Sequence, residues 1–340
     1  AMAVDGRALL AAAGLTGVAT LLFGLAPVLQ AGRPDKGRLL VTGSRSVTGG
    51  PSRRLRRLLL VGEVGMVTLL LFGAILLARS YGHLATLEPG FDPAGVITTQ
   101  FSLDDARYSE TEAVRRLFDE TVADLEALPG VTDAAVALSL PYERPLNMPF
   151  RLPGDDPETR MRLANLVYVT PGFFETLGIP LRDGRDFTVG DGPDAPPVVI
   201  ANEAVVAAHL EGQAALGSRV SLGGAELEVV GVVGDVQQGG GGWGSSQPVW
   251  AAPTFYIPVA QTSSPVLQQV HVWFSPSWMI RTASPSPELT ARITQVFEAR
   301  DSELPVARTA SLEEIMSRAF AQTRFQAAFL LVVAAFALLL

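Results

Sequence analysis

Apolar and polar positions alternate along this chain in two distinct ways. Twenty-five residues without a charge run from Ala8 to Gly32, and Leu58–Ala78 follows with a single charge, Glu63. A third apolar run opens at Phe325 and continues to Leu340. A helix needs roughly 20 apolar residues to cross a bilayer. The first two runs therefore predict membrane-spanning helices, and the third predicts the start of another. A cleaved signal peptide is the alternative for the first run, but no small-x-small site precedes the basic stretch that follows. The expectation is a fragment of a longer membrane protein, since the third run is too short for a full crossing.

The intervening residues follow the shorter periods of a folded domain. Val96–Leu103 predicts a strand. Ser109 and Glu112 form a capping box ahead of Val114, Leu117, Phe118, Thr121, Leu125 and Leu128 at helical spacing, and Pro129-Gly130 ends that helix. Val131–Leu140 predicts a second strand. The pattern returns with Val270–Phe274 as strand, a helix opening at Ser286-Pro287 with Leu289, Ile293, Val296 and Phe297, and Pro305–Thr309 as strand. Two βαβ units with a long insertion between them predict a split βαβ, ferredoxin-like subdomain.

The insertion, residues 145–262, predicts a mostly β subdomain. It holds a short helix started by Thr170-Pro171 and stopped by Gly178, a strand Pro197–Ala201 leading into a helix over Asn202–Leu210, and a strand Leu227–Val236. Ser311 and Glu314 make a further capping box. From there Ile315, Met316, Ala319 and Phe320 run without Gly or Pro into the third apolar segment, so one helix is expected to leave the domain and enter the bilayer. The fold class is thus α+β, with transmembrane helices flanking a two-part domain.

Charge orients this plan. Residues 32–57 carry eight bases against Asp35, whereas residues 80–324 carry 16 bases and 31 acids. Short basic loops stay cytoplasmic, so the large acidic region is expected outside. The net charge of −8 leaves no basic field for a polyanion, and no nucleic-acid partner is expected. The absence of cysteine excludes disulfides, thiolate metal sites and cysteine nucleophiles.

Within the second span, Gly62, Gly65 and Gly73 fall on one small-residue face, of the kind that lets helices approach closely in lipid. Ala13–Gly17 and Thr20–Gly24 repeat that spacing in the first. Glu63 lies five residues past Leu58. It reads either as a polar contact to a neighbouring helix or coupling element, or as a carboxylate reaching the headgroups or Arg56 and Arg57.

Catalytic patterns are missing. A P-loop needs Gly-Lys-Ser/Thr, but the single lysine, Lys36, sits between Asp35 and Gly37. Gly239, Gly241 and Gly244 fit GxGxxG without the helix that should receive a pyrophosphate. His83, His209 and His271 lack metal-ligand spacing, and no GxSxG occurs. The pairs Asp104-Asp105, Asp155-Asp156 and Glu313-Glu314 read as solvated faces or caps, and Asp235 as a turn residue.

Several stretches nevertheless form a connected set. Leu22–Pro27, Arg45–Gly50, Arg53–Arg57 and Val61–Val64 are followed by Pro89-Gly90-Phe91-Asp92-Pro93 and Leu128–Val131. Val169–Phe174, Leu177–Leu181, Gly184-Arg185, Val199–Glu203 and Val230–Val236 complete it. In that order they resemble MacB/FtsX-like ABC transporter permeases, the acidobacterial-type duplicated orphan branch in particular.

The resemblance implies residues 1–32 as the last span of a first half, 33–57 as a basic cytoplasmic linker, and 58–79 as the opening span of a second half. It implies 80–324 as a MacB-like periplasmic core domain with porter-like and insertion subdomains, and 325–340 as the start of a further span. It also implies a multi-pass inner-membrane protein without enzymatic activity or cofactor of its own. A separate cytoplasmic ABC ATPase would drive the periplasmic domain by mechanotransmission, with a periplasmic partner or substrate beyond. An extracytoplasmic sensor or scaffold is the alternative. Glu63, Gly62, Gly65 and Gly73 are the candidate packing or coupling residues.

Overall fold

The computed structural model describes residues 51–155, 162–210, 212, 214–239, 249–301, 303 and 306–339. The expected first span, most of the basic linker and the GxGxxG loop fall outside them. The chain divides into two compact units, one of residues 1–79 with 326–340 and the other of residues 80–325.

In the smaller unit the described chain is helical. Helix α1, Pro51–Ala85, carries Leu60–Ser80, the one segment among the described residues long and apolar enough to cross a bilayer. Its covered face holds Val67, Leu70, Leu71, Ala74 and Leu77, a spacing of three and four, and Ala74 is fully buried.

The larger unit is built on one sheet of eleven strands. Its first part uses β1 (Val96–Phe101), α2 (Thr111–Glu126) and β2 (Val131–Ala137), then, after the insertion, β12 (Ser277–Thr282), α6 (Pro287–Arg300) and β13 (Val306–Ser311). The order β13-β1-β12-β2 is antiparallel throughout. Each βαβ unit is split by a strand of the other, which is the expected ferredoxin-like arrangement.

Apolar spacing explains the helix faces. Val114, Leu117, Phe118, Thr121 and Leu125 of α2 are buried, as are Leu289, Ile293 and Phe297 of α6. Between them and the sheet sits Trp278, wholly buried, edge-on to Phe101 and Phe118 at 5.2 Å and to Phe297 at 5.4 Å. Its indole N–H donates to Thr121 Oγ1 at 2.8 Å, so the one polar atom of the cluster is satisfied. Arg281, three residues on and therefore on the opposite face, reaches α3.

The insertion contributes β3 (Leu146–Arg151), β4 (Arg162–Val169), α3 (Phe173–Leu177), β5 (Leu181–Gly184), β6 (Val198–Asn202), α4 (Glu203–His209), β7 (Arg219–Leu222) and β8 (Ala225–Val233). The two-stranded ribbon β9 (Gln237–Gly239) and β10 (Val249–Ala251), strand β11 (Thr254–Pro258) and helix α5 (Ser264–His271) follow. Strands β4-β3-β7-β8-β6-β11 form a ring, because β11 also pairs in parallel with β4. Closure removes the exposed edges of an open sheet. Asn202 anchors the ring: its side chain accepts from Val205 N at 3.1 Å and Thr254 N at 2.9 Å, and donates to Ala252 O at 2.8 Å. Within the sheet, ring and split βαβ meet where Ala137 of β2 pairs with Val169 of β4 and Thr170 Oγ1 accepts from Val136 N.

The structure corrects three local expectations. Val270–Phe274 is not a strand: residues through His271 close α5, and the strand begins at Ser277. Pro265 suits the first turn of a helix, and Leu267, Val270 and His271 bury one helical face. Ser109 does not cap α2. Glu110 holds the N-cap position, and the Thr111 N–H donates instead to Ser264 Oγ at 3.0 Å. The strand expected at Leu227–Val236 runs over Ala225–Val233, and Asp235 beyond it accepts from Ala204 N at the start of α4. The caps at Ser286 and Ser311 are as expected.

The buried Tyr168 hydroxyl lies 2.7 Å from His271 Nε2. Burial depresses the His271 pKa to about 4, below the ~6.5 of an unfolded chain. The folded state therefore binds fewer protons than the unfolded one between these values, and stability is lost as pH falls through that window. Hydrogen exchange should show α5 losing up to about 3 kcal/mol of protection from pH 7 to pH 4. His271→Gln should flatten that dependence. Trp278→Ala should cost about 3–5 kcal/mol, read as a lowered thermal midpoint.

Candidate functional site

The features that could do work gather where the larger unit receives its first segment and releases its last. After α1 the chain passes through Pro89-Gly90-Phe91-Asp92-Pro93. Gly90 has φ +82, and any Cβ there would run into the Asp235 carbonyl. Only glycine combines that backbone with that close approach. Pro89 O accepts from Gln237 N at 3.0 Å, and Asp92 N donates to Leu177 O at 2.8 Å. Arg281 closes the clamp: Nε donates to Thr176 O at 2.6 Å, Nη2 to Asp92 O at 2.9 Å and Nη1 to Ala94 O at 3.1 Å. One guanidinium thus ties the entry segment, α3 and β12 together.

The exit is equally direct. Strand β13 ends at Ser311, and helix α7 begins at the next residue and runs over Leu312–Leu339. Ser311 Oγ accepts from Glu314 N at 3.2 Å and caps the new helix. Leu312 and Ile315 are buried, and Met316, Ala319 and Phe320 pack against the core of the unit. Tyr142 sits between the two routes, with its ring 6.0 Å from Phe91 and 5.5 Å from Phe320. It is the one non-glycine among the described residues with positive φ, at 63°, and its N–H donates to Gln237 O at 3.2 Å.

Beside it lies a partly buried polar pair. Glu143 accepts from Gln100 Nε2 at 2.9 Å, and its other oxygen is 3.5 Å from Arg308 Nη1 on β13. Desolvation holds the Glu143 carboxyl above its ordinary range, opposed by the Leu140 N–H, Arg308 and Gln100. Arg308 Nε and Nη2 are buried without a partner among the described residues.

The candidates predicted from sequence lie elsewhere. Gly62, Gly65 and Gly73 are on α1, and a methyl group at any of them would meet nothing within 4 Å. Glu63 is on the same helix, and its side chain is outside the described set. The carboxylate pairs serve locally. Asp105 caps the 3-10 turn Ala106–Tyr108, Asp155 takes the Arg162 guanidinium, and Glu314 faces Arg318. Among the described residues no group of three or more His, Asp or Glu could hold a metal ion. Sequence reasoning missed Tyr142, Glu143, Arg281 and Arg308. The Pro89–Pro93 motif was visible, but nothing in it names the residues that close on it.

The family model described as the MacB-like periplasmic core domain matches residues 66–296. The periplasmic region of MacB from Actinobacillus actinomycetemcomitans is similar with a TM-score of 0.46 and 15% identity, over 67% of this chain and 94% of that one. The extracellular domain of the noncanonic ABC-type transporter YknZ from Gram-positive bacteria gives a TM-score of 0.40 and 15% identity, over 63% and 99%. No curated protein matches the chain in sequence.

Tyr142 and Phe320 should be energetically coupled through their rings. A double-mutant cycle of Tyr142→Ala and Phe320→Ala, read by chemical denaturation, should return about 0.5–1.5 kcal/mol of interaction energy. A value near zero would mean that the rings touch without joining the exit helix to the entry segment.

Proposed function

Because the chain belongs to the MacB-like periplasmic core domain family, and is thus part of an ABC transporter permease, we propose that it transmits mechanical work. Its large unit would move in the periplasm while a separate cytoplasmic ATPase hydrolyses ATP. The observation that carries this reading is the passage of β13 into α7 with no residue between them. A flexible linker would absorb displacement in its own dihedrals. A capped helix whose first turns are packed on the core conveys it instead, because each residue is held by an i→i−4 bond.

Further support comes from charge and length. The basic stretch beside an apolar helix and the acid excess of residues 80–324 favour an inner-membrane permease with this unit outside. α1 and α7 would then be two of several spans, as in the duplicated orphan branch. Gly62, Gly65 and Gly73 would receive neighbouring helices, and Glu63 would lie near the cytoplasmic interface. The reaction would belong to the ATPase partner, with no cofactor on this chain.

The chain has no cysteine, so introduced thiols report specifically. Spin labels on Val189→Cys and Leu69→Cys should change separation when ATP is added to the membrane complex containing its ATPase. Arg318→Pro, which breaks the helix at a cost of ~3 kcal/mol or more, should abolish that change and leave hydrolysis within about twofold. Arg318→Ala should retain both. Full movement in Arg318→Pro would sink the reading, as would a membrane complex that holds no ATPase.

A further inference from the structure

Helix α5 ends at His271, and the next two residues are apolar and displayed. Val272 is 57% exposed and Trp273 66%. The turn that presents them is fixed, since Trp273 N and Phe274 N both donate to Val270 O, at 3.0 and 2.8 Å. Val272 and Trp273 thus form a small pair of adjacent apolar side chains displayed on an ordered turn. Val272, the residue before Trp273, also lines an open groove of about 420 Å³ between α5 and the segment after β1. Leu103, Asp104, Tyr108, Gln268 and Val272 line it.

The charge around this groove is predominantly negative. Asp105, Asp301 and Glu303 converge on a single cation, Arg107, at 2.9, 2.7 and 3.2 Å. Asp104 adds a fourth carboxylate and has no ion pair among the described residues. Four acids against one base leave a local surplus of three negative charges. The C-terminal carbonyls of α5 point the same way, because a helix C-terminus carries partial negative charge. Apolar surface with an acidic margin fits a partner of opposite sign and repels an anionic membrane surface.

We infer that this groove is a docking surface for a polypeptide segment of another protein, one that presents Arg or Lys beside an apolar side chain. Trp273 and Val272 take the apolar part, and Asp104 with the Asp301–Glu303 margin takes the cation. The inference adds to the coupling reading without depending on ATP hydrolysis. It places the contact on the α5–β12 turn, far in sequence from the Tyr142 joint.

The test uses the full chain in nanodiscs of zwitterionic phosphatidylcholine and two fluorescent peptides, Leu-Arg-Phe-Arg-Leu and its counterpart with Glu for Arg. The basic peptide should bind, and raising salt from 0.05 to 0.5 M should weaken it. Trp273→Ala should weaken it about tenfold or more and Asp104→Asn several-fold, while Val189→Ala should leave it unchanged. Equal binding of both peptides, undiminished binding to Trp273→Ala, or no binding of the basic peptide up to 1 mM would each overturn the inference. Capture of anionic phosphatidylglycerol vesicles that is lost in Trp273→Ala would also overturn it, by assigning the surface to a bilayer.

Discussion

The close approach of Gly90 to the Asp235 carbonyl sets how the chain enters this domain. No side chain fits there, and the positive φ leaves the neighbouring carbonyls and amides aimed at three different elements. Those groups are taken up by Gln237, Leu177 and Arg281. The entry segment is therefore bonded to the exit from β8, to α3 and to β12 at once. Buried backbone groups must find partners somewhere, and here they find them in parts of the chain far from Pro89. Ring and split βαβ are consequently held at this point as well as at the Ala137–Val169 seam.

The same economy governs the exit. A strand that ends where a helix begins leaves the first helical amides without partners, and Ser311 supplies one acceptor at the start of α7. Packing does the rest, through Leu312, Ile315 and Phe320. Next to this root, Glu143 and Arg308 form a pair only partly matched. The carboxylate has three donors near it, whereas two nitrogens of the guanidinium have none among the described residues. Such a pair adds little net stability, because desolvation offsets its attraction. Its effect is to make rearrangement at the joint depend on polar contacts rather than on apolar area alone.

The docking groove is built on a different principle. The joint uses aromatic rings turned inward, between segments of one chain. The α5–β12 turn displays a ring outward, next in the chain to a groove whose margin carries more acid than base. Both rely on short, well-bonded turns.

Much was legible in the sequence, because helical and strand periods are local. The faces of α2 and α6, the caps at Ser286 and Ser311, the Gly178 stop and the apolar run of α1 each depend on residues within a few positions. The split βαβ order followed from two repeats of the same pattern. Tertiary structure alone decided the closure of the ring, since Asn165 and Thr254 meet from 89 positions apart. Val270–Phe274 shows the limit at short range: a brief apolar run suits helix or strand equally, and burial of Leu267, Val270 and His271, the last against Tyr168 of β4, selects the helix end. Ser264 capping α2, Arg281 clamping Asp92 and Tyr142 bridging Phe91 and Phe320 are likewise unreadable in advance. Each joins groups that the chain brings together only after its sheet has formed, and hydrophobic spacing carries no record of which distant partner a polar group will find.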